Sequence, residues 1–175
     1  DSPDIKGATS VLARATVPLA EKGYYVFPVA VVDEMFRQNG LTGGHDIQSA
    51  PIRKVREIFG ADAILYLHVE EYGTSYQILS SDTRVSVSGK LVDLKTGKTL
   101  WEGRAKHVDN GSNGGGGLIA SLVSAVANQI IGSATDRGYQ VAATADAQLF
   151  YYGDRGGVLM GPYHPDYQKD YQNDR

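Results

Sequence analysis

One segment of the chain leaves little choice of conformation. From Thr83 to Leu94 the apolar Val85, Val87 and Leu91 alternate with Arg84, Ser86, Ser88 and Lys90. Successive side chains of a strand point to opposite faces, so this pattern predicts a half-buried antiparallel strand. Asp93-Leu-Lys-Thr-Gly-Lys98 follows as a hairpin turn, with Gly97 where a positive φ is needed. Thr99–Val108 returns as the next strand, anchored by Trp101, the sole tryptophan. Upstream, Ala63–Val69 is a nearly continuous apolar run, as expected of a strand covered on both faces.

Helical spacing surrounds this meander. Ser10–Lys22 carries Val11, Leu12, Ala15 and Leu19 on one stripe, with Thr9 or Ser10 placed to cap it and Gly23 to end it. Pro18 falls inside the pattern and is expected to kink or split it near Val17. Tyr24–Phe27 reads as a short aromatic strand closed by Pro28. Val31, Val32, Met35 and Phe36 form a second helical face ending near Asn39–Gly40, and Thr42–Gly44 is a loop. Ser49 then reads as an N-cap before Pro51, opening a helix with Ile52, Val55, Ile58 and Phe59 inward and Gly60 as its stop. Leu118–Ile131 is a strongly apolar helix, and Tyr139–Tyr152 a further one with Val141, Ala145, Leu149 and Tyr152 on its stripe.

The order is helix, strand, two helices, three strands, two helices and a tail. It predicts an α/β fold: a mixed parallel and antiparallel sheet flanked by helices, with an extended C-terminal tail. Residues 1–152 form one domain and residues 153–175 the tail. Asp1-Ser-Pro-Asp4 is loop-like and leads straight into a helix, so a preceding N-terminal strand is expected upstream.

Composition narrows the function classes. The 175 residues carry 17 basic and 20 acidic side chains, a net −3 that argues against nucleic-acid binding. No run approaches the ~20 apolar residues of a transmembrane helix. Cysteine is absent, which excludes thiolate metal sites and cysteine nucleophiles within these residues.

Candidate chemistry is sparse. His68-Val-Glu70 and His107-Val-Asp109 each place an imidazole and a carboxylate two residues apart on a strand, and four such ligands could meet around zinc if the strands were close. Solvated polar residues at strand ends are the plainer reading. His45 and His164 have no partner at a meaningful spacing. Asn110–Gly117 is a glycine loop before a helix, a possible anion cradle, but it lacks the phosphate-loop lysine and reads more simply as a flexible connection. No Gly-x-Ser-x-Gly motif occurs. Glu70 and Glu71, adjacent on a regular strand, would point to opposite faces. The sequence therefore assigns no catalytic, cofactor or metal residues.

Interaction surfaces are better represented. Between Asp109 and Asp136 no residue is charged, and Leu122, Val126 and Ile130 belong to a stripe wider than one sheet face requires. Burial within the domain and a homodimer contact both account for it. In the tail, Val158-Leu159-Met160 and Tyr163 are expected to be ordered, docked on a groove of their own domain or of a second subunit. Gln168–Arg175 are expected to be mobile and polar.

Two segments carry a family likeness. Gly23-Tyr-Tyr-Val-Phe-Pro-Val-Ala-Val-Val-Asp33 and Arg56-Glu-Ile-Phe-Gly-Ala-Asp-Ala63 resemble a family of Gram-negative lipoproteins of unknown function that includes a genome-derived Neisseria antigen. Leu91–Gly103, with its Asp-x-Lys-Thr-Gly-Lys turn and Trp101, fits it, as does Gly161–Tyr167. The resemblance implies an exported protein whose lipid-bearing cysteine lies upstream of Asp1, and a fold similar to the TolB amino-terminal domain. It also implies a periplasmic location, an anchor in the outer membrane, and partners in a CsgG-like protein and a second small lipoprotein. No catalytic residues accompany it. The expected function is a non-enzymatic accessory of envelope transport or assembly that acts by protein contacts. The alternative is a periplasmic metal- or small-ligand-binding module using the two histidine–carboxylate pairs.

Overall fold

The computed structural model describes residues 5–77, 80–109, 137–153 and 156–167. The elements are α1 (Ile5–Glu21), α2 (Val29–Gln38), α3 (Gly44–Ser49), α4 (Ile52–Phe59), β1 (Ala63–Gln77), β2 (Ser80–Asp93), β3 (Thr99–Asp109) and α5 (Arg137–Tyr152). The mixed α/β composition matches the sequence. Among the described residues, however, the sheet is three-stranded and wholly antiparallel, in the order β1-β2-β3. Tyr24–Phe27, the strand that would have supplied a parallel neighbour, joins no ladder. Its first amide closes the end of α1 instead, and the carbonyls of Lys22 and Gly23 accept from Gly161 and Tyr163.

The β2–β3 turn forms as its sequence requires. Asp93 Oδ1 accepts from the Thr96 amide at 2.6 Å, the Thr96 hydroxyl at 2.9 Å and the Lys95 amide at 2.9 Å. The two Thr96 bonds hold the Asp93 carboxyl below its ordinary pKa. Gly97 takes φ 74°, a conformation L side chains rarely adopt.

Strand alternation separates two faces. Leu65, Leu67 and Val69 of β1, Val85, Val87 and Leu91 of β2, and Trp101 and Ala105 of β3 face α1 and α5 in the main core. Val11, Ala15 and Leu19 of α1 and Ala142, Ala145, Leu149 and Phe150 of α5 complete it. A second, smaller core holds α2, α3 and α4 against the turn end of the sheet, through Phe36, Ala50, Val55 and Leu94 with Ile64 beside them. Because these helices cover only that end, Ala63–Val69 is not sealed on both faces, and His68 is exposed.

Several local signals were overridden. α1 runs unbroken through Pro18, whose ring is fully buried, because packing against α5 and β1 outweighs the lost amide bond. Thr9 and Ser10 lie inside this helix rather than capping it. Its far end behaves as expected: Gly23 takes φ 82°, with Gly23 N–H donating to Ala20 O and Tyr24 N–H to Leu19 O, a Schellman cap. Ser49 ends the short α3 and makes no cap; Pro51 takes the N-cap position of α4. Gly60 ends α4 at φ 60°. On α5 the buried face includes Ala142, Ala143, Ala147 and Asp146 besides Ala145 and Leu149, while Tyr152 is exposed.

Trp101 packs against the sheet itself and α5. Its indole lies over Gly103 and Gly89, where an added Cβ would approach Trp101 to 2.5 and 2.9 Å. Phe150 of α5 covers it at 5.9 Å between ring centroids. The apolar helix read at Leu118–Ile131 lies outside the described residues, as do the Asn110–Gly117 loop and Gln168–Arg175.

Candidate functional site

The histidine–carboxylate pairs do not converge. His68 pairs with Ser88 and, across β2, with Arg104, whereas His107 pairs with Val85. The two histidines stand on strands two spacings apart, about 10 Å, and in rows about 10 Å apart along β2. They also point to opposite faces: His107 shares the core face with Ala105, and His68 the outer face. Among the described residues, no three His, Cys, Asp or Glu side chains are grouped to hold a metal. The four-ligand zinc site is therefore overturned by sheet topology. His45 is exposed on α3 and belongs to no such group among the described residues.

The outer face is instead a ladder of ion pairs. A β-bulge between Val69 and Glu71 leaves Glu70 without a partner of its own on β2. Glu70 and Glu71 thereby both reach the outer face, contrary to the regular-strand expectation. Glu70 accepts from Arg104 at 2.7 Å and from the Ser86 hydroxyl at 3.1 Å. Glu71 meets Lys106 at 3.1 Å and Arg84 at 4.0 Å. Lys90 pairs with Glu102 at 3.4 Å one rung away. These carboxylates are all engaged by cations, which suits a solvated face better than acid–base work.

The open feature lies at the seam between the end of α1 and the C-terminal segment. Val158 enters the main core, 2% exposed, and its amide donates to the Phe150 carbonyl. Gly161 N–H then donates to Lys22 O at 2.7 Å, Tyr163 N–H to Gly23 O at 3.0 Å, and the Tyr24 hydroxyl to Leu159 O at 2.9 Å. Residues 158–163 are thus strapped across the cap of α1. Gly23 is needed there: a Cβ would collide with the His164 backbone.

Where the strap leaves α1, a cleft of about 350 Å³ opens, lined by Glu21, Tyr24, Tyr25, Tyr163, His164 and Pro165 among others. Tyr25 is 73% and Tyr163 77% exposed, with Leu159 also in solvent at 42%. Glu21 Oε2 accepts from the Tyr151 hydroxyl at 2.7 Å, and Lys22 Nζ lies 4.9 Å from the centre of the Tyr151 ring. Burial first, and the Glu21 bond second, raise the Tyr151 phenol well above its usual pKa. His164 Nδ1 accepts from the Asp166 amide at 3.0 Å. Among the described residues, no nucleophile–base pair lines this cleft; its lining is aromatic with one acidic residue.

Of the sequence-derived contact residues, Val158 is spent on the core, Leu159 and Tyr163 are presented outward and Met160 is half-buried. Leu122, Val126 and Ile130 lie outside the described residues. Sequence reasoning missed Tyr25 and Glu21, whose only signal was their flanking of the Gly23 cap.

The segments that line this cleft are also those carrying the family likeness. A family model described as "Putative lipoprotein GNA1162-like" matches residues 1–163. The chain belongs to that family. A curated lipoprotein of Neisseria meningitidis serogroup B is 52% identical over 162 residues, covering 93% of this chain and 75% of the relative. The crystal structure of lipoprotein GNA1162 from Neisseria meningitidis superposes with a TM-score of 0.62 at 52% identity, covering 75% of this chain and 92% of that one. The GNA1162-like family match rests on sequence, and the superposition shows the likeness of fold. Among the described residues, no helix is long and apolar enough to cross a membrane.

Proposed function

We propose that this chain is the folded domain of an envelope lipoprotein that acts through protein contacts and performs no catalysis. In this reading a lipid anchor holds it to the outer membrane, facing the periplasm, where it serves transport or assembly as an accessory. Its partners are a second copy of itself, a CsgG-like protein and a small companion lipoprotein. The observation that carries the reading is the pair Tyr25 and Tyr163, both about three-quarters exposed on a hydrogen-bonded seam. Tyrosine supplies large contact area with few torsions to freeze, which is why it is enriched at interface hot spots. The lipoprotein relatives support membrane attachment.

Site-specific photocrosslinking tests it. A photoreactive residue placed at 163 or 25 of the full-length lipidated protein in intact cells is expected to capture a defined envelope protein or a second copy. The same residue at position 53, on the solvent side of α4, is expected to capture neither. Equal labelling at all three positions, or none at any, overturns the reading.

A further inference from the structure

We infer that the cleft at the α1 cap is a docking site for a cationic side chain, an arginine or lysine presented by a partner protein. The inference rests on the contact reading above and names the chemistry of the contact. Tyr24, Tyr25 and Tyr163 line one cleft together with the acidic Glu21. Tyrosine faces attract cations through their ring quadrupole, and an adjacent carboxylate strengthens the attraction. Glu21 uses Oε2 for the Tyr151 hydroxyl, and Oε1 has no hydrogen bond among the described residues. Among the described residues, no lysine or arginine lines the cleft. The chain's own Lys22 shows that a tyrosine ring of this corner accommodates a cation, since its ammonium lies 4.9 Å from the centre of the Tyr151 ring, whose hydroxyl donates to Glu21. The cleft thus brings aromatic surface and an acidic residue together for an incoming cation. The ion pairs of the sheet face offer no such vacancy, because each carboxylate there already meets a cation.

The test is titration of the intact protein with the capped tripeptide acetyl-Gly-Arg-Gly-amide, with its citrulline counterpart as a neutral isostere. Saturable shifts of the Tyr25 and Tyr163 ring resonances are expected with the arginine peptide and not with the citrulline peptide. Tyr163→Ala is expected to abolish saturation while leaving the melting temperature unchanged, since the ring is mostly in solvent. Glu21→Gln, with the fold checked by circular dichroism, is expected to weaken binding about tenfold, as loss of one charge-assisted contact does. Binding of both peptides alike, binding unaltered in both variants, or no shift at all overturns the inference. If the peptides fail while position 163 still crosslinks a partner in cells, only the cationic chemistry falls and the contact reading stands.

Discussion

The indole Nε1 of Trp101 donates to the carbonyl oxygen of Gly156 at 3.0 Å. This bond joins the middle of the meander to the chain leaving α5, and the same indole fills the space vacated by Gly89 and Gly103. Trp101→Ala is expected to cost about 3 kcal/mol, the lower end for a large aromatic because the ring is half-buried. Trp101→Phe keeps the packing and loses the donor, and is expected to cost about 1 kcal/mol. Urea unfolding of both variants checks the order; equal losses would show that the hydrogen bond carries nothing.

Asp146 provides a pH-dependent prediction. It is 1% exposed on α5, neither carboxyl oxygen has a hydrogen bond among the described residues, and burial drives its pKa well above the usual carboxylate value, with the Arg14 charge opposing. Because the folded-state pKa lies above the unfolded one, the stabilising contribution of this group is complete below the unfolded value. It is lost as pH rises through the folded value. Melting temperature is therefore expected to fall as pH is raised from about 4 toward neutrality through this group. Asp146→Asn is expected to remove that slope and raise the melting temperature at neutral pH. A variant with the same pH slope as the parent contradicts the assignment.

The strap should stabilise the domain as well as present its tyrosines. Deleting residues after Gly157 removes Val158 from the core and the two amide donors that cap α1. With about 2–4 °C per kcal/mol for a chain of this size, losing one buried valine and the four hydrogen bonds of residues 158–163 is expected to lower the melting temperature by about 10–20 °C. An unchanged melting temperature would show that the strap does not hold the fold.

Gly23→Ala tests the crossing point. A Cβ there meets the His164 backbone, and φ 82° is strained for any side chain but glycine's hydrogen. The variant is expected to keep the meander while releasing the strap, so that limited proteolysis cuts near Gly161 before any other site. Resistance equal to the parent's would contradict the account.

The meander was legible because its information is local. Alternation at Val85, Val87 and Leu91, the Asp93 side chain and Gly97 are each complete within a few residues, and β2 and β3 form as read. The helix stops at Gly23, Gly40 and Gly60 were readable for the same reason: each needs only a positive φ. The candidate site was half legible. Tyr163 stood out by composition, but nothing local said that its amide would reach Gly23 O, 140 residues earlier in the chain.

The amino-acid sequence by itself determined the family, the antiparallel hairpin and the glycine caps. Each depends on residues adjacent in the chain, where backbone torsion and side-chain alternation act without help. Only the tertiary structure decided the rest. Pro18 stays helical because α1 is held by its neighbours, and Arg14 and Asp146 face inward from separate helices. A single bulge puts both Glu70 and Glu71 on the outer face, and one intervening strand keeps His68 and His107 apart. In each case the deciding energy comes from contacts between residues far apart in sequence, which no local pattern encodes.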